Sequence, residues 1–256
     1  MTNTKIVITK TLKVKAGMKI LFSNLNLTFQ IGEITVFIGE NGVGKSTLLN
    51  QLCGIEKPKI GDVIINGYNT KILPDNIRAN IVSSIAQFDT SCDDLFVEER
   101  IAHGLNSSLL TNKILKKIYI LGEKLKILHL FGKQLCKLSG GERKLIHIAR
   151  CLISEQAKIY ILDEPFASLD VFYQERICFL LKNIVKNKKC IIISTHDINL
   201  AIRLACKIII LHKQKILAEG NPSKVINEKI IKILYETNFR IFNDNNGFRG
   251  VIMRSY

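Results

Sequence analysis

The sequence predicts an α/β fold: a parallel sheet core, an N-terminal antiparallel β layer, and an inserted α-helical subdomain. Three patterns carry that prediction. Residues 5–66 hold short apolar, β-branched runs, residues 91–152 carry apolar positions at helical spacing, and residues 158–211 alternate strand with helix. At 256 residues with 47% hydrophobic content, the chain can bury a sizeable core, and disorder is excluded as its general state.

In chain order, residues 5–8, 20–22 and 25–29 read as short strands. Residues 62–66 form another, with Gly61 and Gly67 at its ends, completing the antiparallel layer. Residues 34–38 are an unbroken apolar run, the pattern of a buried strand, and residues 47–52 open a helix. Residues 79–86 read as a further strand, closed by Gln87. Within the helical stretch, Ile114, Ile118, Leu121, Leu125 and Leu128 recur among Lys116, Lys117 and Lys124, which describes a packing face rather than a ligand groove. Then come a strand (158–162), a helix (171–186), a strand (190–194), a helix (198–205) and a strand (207–211). Short apolar strands between helices indicate a parallel sheet covered on both faces. Asn221-Pro222-Ser223 starts another helix with proline at its first position, and 243–247 reads as a turn before a last strand at 250–253.

The formal charge of +15 invites a nucleic-acid or anionic-membrane reading. The lysines are spread along the chain instead of forming one tract, so a solvated surface is favoured, a role beside acidic lipid comes second, and a nucleic-acid partner is not expected. No run reaches the roughly 18 apolar residues of a membrane span, and residues 1–21 lack the apolar core of a signal peptide. The seven cysteines form no C-x-x-C pair, so buried reduced thiols in a cytosolic protein are expected, with no zinc site.

Between the 34–38 strand and the helix that follows lies Gly39-Glu40-Asn41-Gly42-Val43-Gly44-Lys45-Ser46, which fits G-x-x-x-x-G-K-[ST]. Its glycines let backbone N–H groups curl around an anion, and the helix N-terminus adds donors and partial positive charge. These residues, with Thr47, are the predicted nucleotide site: Lys45 reaches the β- and γ-phosphates and Ser46 holds Mg²⁺. The run Ile159-Tyr160-Ile161-Leu162 ends in Asp163 and Glu164. Asp163 is placed to coordinate Mg²⁺, and Glu164 to polarise a water attacking the γ-phosphate. Leu138-Ser139-Gly140-Gly141-Glu142 marks a helix start whose two glycines bare backbone donors, a second anion site.

With the phosphate loop, Ser139-Gly140-Gly141-Glu142 and Asp163-Glu164 following one another in that chain order, the chain resembles the ATPase subunits of ABC transporters over nearly its whole length. The resemblance implies a P-loop NTPase (RecA-like) core in a single domain of residues 1–256. Residues 1–90 and 153–220 would form the nucleotide-binding core, 91–152 the helical signature subdomain, and 221–256 a C-terminal extension. Gln87 then stands at the Q-loop position, sensing Mg²⁺ and nucleotide; Ser168-Leu169-Asp170 looks like the D-loop, and His196 like the switch histidine. The family works as a head-to-tail homodimer, in which Ser139, Gly140, Gly141 and Glu142 of a second copy close over the γ-phosphate, excluding water and adding preorganised dipoles. His196 would contact the γ-phosphate and Asp170 would couple the two sites. Integral membrane permease subunits are the implied partners, a solute-binding protein acts indirectly, and the implied location is the cytoplasmic face of the inner membrane.

More finely, residues 96–104, the segment 217–226 with its Gly220-Asn221-Pro222, and residues 230–235 resemble importers of iron chelates, haem and cobalamin. The alternatives are another metal or small-solute transporter, or a soluble relative acting on nucleic acid or ribosomes. Members of that last class tend to carry two cassettes or a long coiled insertion, and neither is read in this sequence. Two departures stand out. The family's adenine-stacking aromatic would fall near Ala16, yet no aromatic precedes Phe22. Losing such a stack costs about 1–3 kcal/mol, roughly five- to 150-fold in affinity, so weaker and less base-selective ATP binding is expected. Arg143-Lys144 also stands where glutamine is common two places after the signature glutamate.

Overall fold

The computed structural model describes residues 4–85, 94–107, 109–236, 239–243 and 249–253. The chain opens with β1 (Lys5–Ala16), β2 (Lys19–Leu25) and β3 (Thr28–Gln30), and β5 (Ile60–Ile65) and β6 (Tyr68–Asn69) join them in an antiparallel sheet. Strand β1 is twelve residues long, where the sequence pattern suggests four. Thr11 explains the gap: its backbone turns left-handed (φ 46°), the pairing with β5 shifts register there, and the alternation breaks while the strand continues.

The second sheet runs in the order β11-β10-β4-β9-β8-β7. Its members are β4 (Ile34–Gly39), β7 (Val82–Ile85), β8 (Ile159–Asp163), β9 (Cys190–Thr195), β10 (Lys207–His212) and β11 (Lys215–Gly220). Five are mutually parallel, whereas β11 is an antiparallel edge strand not anticipated from the sequence. Alternate side chains divide between two cores, as a period of two demands. Phe37, Ile161, Ile192 and Ile209 face the antiparallel layer, with α1 (Lys45–Leu52) supplying Leu48, Leu49 and Leu52 between the sheets. Val36, Leu162, Ile191 and Ile210 face the remaining helices. Fully burying each such side chain contributes about 1.5–3 kcal/mol, so strand order and register are held from both faces.

Residues 79–81 are helical, correcting the strand expected at 79–86. They end α2 (Asp75–Ile81), which Pro74 opens with its fixed φ of −63° and Asp75 favours by its charge in the first turn; the strand starts only at Val82. Beyond β7 lie α3 (Val97–Ala102), α4 (Asn112–Leu125) and α5 (Gly140–Leu152). Thr111 caps α4, accepting from the Ile114 N–H. Lys126 turns left-handed and stops the helix, so Leu128 falls outside the stripe and is 41% exposed. Helix α5 lies on β7 through Ser83, whose hydroxyl donates to the Cys151 carbonyl at 2.9 Å, and through Arg150, which donates to the Ser84 carbonyl at 3.1 Å. An added Cβ at Gly104 would sit 1.8 Å from the Arg150 carbonyl oxygen, so glycine permits this close approach.

The later elements are α6 (Val171–Lys186), α7 (Ile198–Leu204), α8 (Pro222–Val225) and α9 (Glu228–Tyr235), then a hairpin of β12 (Phe239–Asn243) and β13 (Arg249–Met253). Strand β12 was not expected from the sequence. Asn221 caps α8 with Pro222 at its first position, as predicted. Among the described residues no helix is long and apolar enough to cross a membrane. None of their cysteines is disulfide-bonded: Cys53, Cys151, Cys178 and Cys190 are buried, while Cys136 and Cys206 are exposed. No group of His, Cys, Asp or Glu suited to hold a metal occurs among them either.

Candidate active site

The carboxyl ends of adjacent parallel strands are where an open α/β sheet presents its ligand site. Here β4 ends in the phosphate loop, β8 in Asp163 and Glu164, β9 in Thr195 followed by His196, and β10 in His212. At Gly39 a Cβ would meet the Leu211 carbonyl oxygen at 2.7 Å, and at Gly44 (φ 108°) the Leu21 side chain at 2.8 Å. Both positions therefore require glycine, and Gly44 becomes the cap of α1.

Lys45 opens α1, is 7% exposed, and donates from Nζ to the carbonyls of Gly39 (2.8 Å) and Glu40 (3.2 Å). The same ammonium lies 3.4 Å from Glu164 Oε1. The other carboxylate oxygen, Glu164 Oε2, is 3.0 Å from His196 Nδ1. Glu164 is buried and holds a left-handed backbone (φ 45°), a conformation costing roughly 1–2 kcal/mol at a non-glycine residue. Ser194 holds it there. Its hydroxyl accepts from the Glu164 N–H at 2.9 Å and donates to Asp163 Oδ1. One buried serine thus fixes both acids.

The remaining phosphate-loop residues are more open. Glu40, Asn41 and Gly42 are exposed, and Val43, Ser46 and Thr47 are half-buried. Glu40 Oε1 lies 3.4 Å from Nδ1 of His212, a buried histidine that the sequence reading did not single out. Ser194 was also missed as a site residue. Its signal was a hydroxyl breaking the isoleucine run 191–193 two residues before a histidine.

Ser139 caps α5: its Oγ accepts from the Glu142 N–H at 3.3 Å, and Glu142 Oε2 accepts from the Ser139 N–H at 2.8 Å. Hydrogen bonds to the Glu142 carboxyl from the Ser139 backbone N–H and, second, from the Ser139 side chain hold it below its usual range. A Cβ added at Gly140 would meet nothing within 4 Å, whereas one at Gly141 would lie 3.3 Å from the Ser168 carbonyl oxygen. The helix start therefore faces open space on one side and its own chain's 168–170 turn on the other. Asp170 is exposed and caps α6, accepting from the Tyr173 N–H at 3.0 Å. Burial pulls the Lys144 ammonium below its ordinary range, and the charges of Asp163 and Glu164 oppose that pull. The cation standing at the glutamine position is thus within electrostatic reach of both acids. Gln87 lies outside the described residues. The structure brings together Lys45, Asp163, Glu164 and His196; Ser139–Glu142 forms a separate helix start.

The family model described as ABC transporter matches residues 22–167. A hemin import ATP-binding protein, HmuV of Aliivibrio fischeri, is 32% identical over 225 residues, 86% of each chain. A petrobactin import ATP-binding protein, FpuD of Bacillus anthracis, is 30% identical over 242 residues, 92% of this chain and 88% of that one. Among solved structures, the dimeric MJ0796, a bacterial ABC transporter cassette, superposes with a TM-score of 0.78 at 26% identity, covering 85% of this chain and 99% of that one. An ABC transporter in an inward-facing conformation shares the fold at a TM-score of 0.80 and 24% identity, covering 98% of both.

Proposed function

The chain belongs to the ABC transporter ATP-binding family, and from that premise we propose that it binds and hydrolyses ATP to power an importer of iron chelates of haem or siderophore type. The observation that carries the catalytic reading is the meeting of Lys45, Glu164 and His196 at the ends of neighbouring strands, with Glu164 held between the other two at 3.4 and 3.0 Å.

In this reading Lys45 exchanges its carbonyl contacts for the β- and γ-phosphate oxygens, gaining charge-assisted hydrogen bonds. Glu164 accepts a proton from the attacking water as general base, a role that contributes about 10²–10⁴-fold. His196, adjacent to that carboxylate, orients it and reaches the γ-phosphate. The donor set suits Mg²⁺: the Ser46 hydroxyl and the Asp163 carboxylate, with the Gln87 side-chain carbonyl, would supply hard oxygen ligands and leave positions for phosphate and water. When bound, the ion would neutralise charge on the β- and γ-phosphates.

The open face above Gly140 supports closure by a second copy in head-to-tail arrangement. There the bare N–H groups at the start of α5, with the Ser139 side chain beside them, would cover the γ-phosphate of the partner's nucleotide. Asp170 would lie at that junction, and Gln87 would report nucleotide and metal to the helical subdomain. The remaining partners are a membrane permease and, indirectly, a solute-binding protein, with the chain peripheral on the cytoplasmic face of the inner membrane.

Replacing Glu164 by glutamine tests the reading in the chain assembled with its permease. Turnover should fall by about 10²-fold or more while ATP binding and ATP-dependent dimerisation persist, read by light scattering. Native turnover by that variant would remove Glu164 from the mechanism.

A further inference from the structure

The C-terminal extension reaches back to the segment that carries His196. Helix α9 is anchored by Ile231 and Leu234, each 1% exposed, and places Tyr235 so that its hydroxyl donates to the His196 backbone carbonyl at 2.9 Å. The Tyr235 ring leans on Phe239 of β12, with centroids 5.8 Å apart. Three residues beyond the histidine, Asn199 clamps β13: its Nδ2 donates to the Val251 carbonyl at 3.1 Å, and its Oδ1 accepts from the Val251 N–H at 2.8 Å. Asp197 between them caps α7, accepting from the Leu200 N–H at 3.0 Å. The histidine backbone is therefore held at Tyr235, and α7 is held to β13 one turn later, while the imidazole itself stays 60% exposed.

We infer that α9 with the paired strands β12 and β13 is a brace for the switch loop, in which Tyr235 is a positioning residue that sets where His196 meets the γ-phosphate. The inference rests on the reading of His196 as a γ-phosphate contact. A phenol fits this role because burial, with Asp197, Glu164 and Glu40 nearby, pushes its pKa up to about 12, so it stays a donor throughout the physiological range. A bond to a backbone carbonyl positions the residue without consuming a side-chain nitrogen of the imidazole, leaving the ring to Glu164 and phosphate.

The full-length chain can be titrated with ADP and with an ATP analogue whose β–γ bridge is not cleaved. Tyr235→Phe removes one neutral hydrogen bond, so it should weaken analogue binding by about 2- to 12-fold and leave ADP binding within about twofold. Asn199→Ala should move the ratio in the same direction. Because the bond is to the backbone, it survives in His196→Ala; on that background Tyr235→Phe should change neither affinity. An unchanged analogue-to-ADP ratio in both single variants, or an equal loss without the imidazole, would overturn the brace. If His196→Ala alone leaves the ratio unchanged, the γ-phosphate reading falls first, and the brace with it.

Discussion

Ser194 is 0% exposed and bonds to both Asp163 and Glu164, so its hydroxyl can be removed with a calculable result. Ser194→Ala deletes one oxygen and strands two buried partners. The Asp163 carboxylate loses a charge-assisted hydrogen bond, about 1.5–3 kcal/mol, and the Glu164 N–H is left unpaired, about 1–3 kcal/mol. Together these come to roughly 2.5–6 kcal/mol, from which relaxation of Glu164 out of its left-handed backbone returns about 1–2 kcal/mol. The net loss is about 0.5–5 kcal/mol. At about 2–4 °C per kcal/mol for a chain near this size, Tm should fall by about 1–20 °C. Glu164 would lose its fixed aim as well, and each 1.36 kcal/mol of lost transition-state stabilisation is about tenfold in kcat. Thermal unfolding followed by circular dichroism, with ATPase turnover of the assembled complex, measures both. Ser194→Thr keeps the hydroxyl and should retain turnover, although its extra methyl costs about 1–3 kcal/mol in a filled site. A Ser194→Ala protein that melts no lower than the parent and turns over at the same rate would refute the argument.

Three further outcomes are expected. Gly104→Ala would force a Cβ to within 1.8 Å of the Arg150 carbonyl oxygen, so the turn after α3 must lift from α5; a loss of about 3 kcal/mol should appear in the urea midpoint, and an unmoved midpoint would contradict that packing. Burial raises the thiol pKa of Cys151 to about 11 and of Cys190 to about 12, whereas Cys136 and Cys206 are exposed. Peptide mapping after brief alkylation at neutral pH should find the exposed pair modified at least about tenfold faster; equal rates would mean that the buried thiols open readily. The hydrogen bonds that depress Glu142 favour its charged form, so its capping contribution is complete above the ordinary carboxyl value of 4.5 and is lost as pH falls through the lower folded value. An NMR titration of its carboxyl carbon should have its midpoint below 4.5, and a midpoint at or above that value would deny the capping box its charge.

Long, strongly patterned elements were legible before any coordinates. Residues 171–186 read as a helix and form α6 over that span, because Asp170 caps its start and an apolar face runs through Ile177 and Leu181. The phosphate loop, Asp163 and Glu164 were also readable, since their chemistry needs fixed residue types at fixed spacing. What escaped were places where tertiary contacts outvote local pattern. Residues 79–81 hold apolar positions suited to either state, and the helix begun at Pro74 carries through them. Strand β11 alternates weakly because it is an edge with one exposed side, and β12 pairs only with β13, which no short-range signal announces. Ser194 and Tyr235 act on residues 30 or more positions away in the chain, with |i−j| of 30 and 39 for the bonds to Glu164 and His196. Only folding reveals such partners.

The sheet is also a measuring device. Neighbouring strands lie about 4.8 Å apart, and phosphate loop, carboxylates and histidine each leave the end of a different strand, β4, β8 and β9, which are adjacent in the order β4-β9-β8. Their separations are therefore whole steps of a lattice made of backbone hydrogen bonds, not outcomes of loop flexibility. Surface loops can drift in sequence without disturbing the spacing. A substitution deep among Ile161, Ile192 and Val36 that altered the sheet's twist would instead detune all of these groups at once, far from any atom that touches nucleotide.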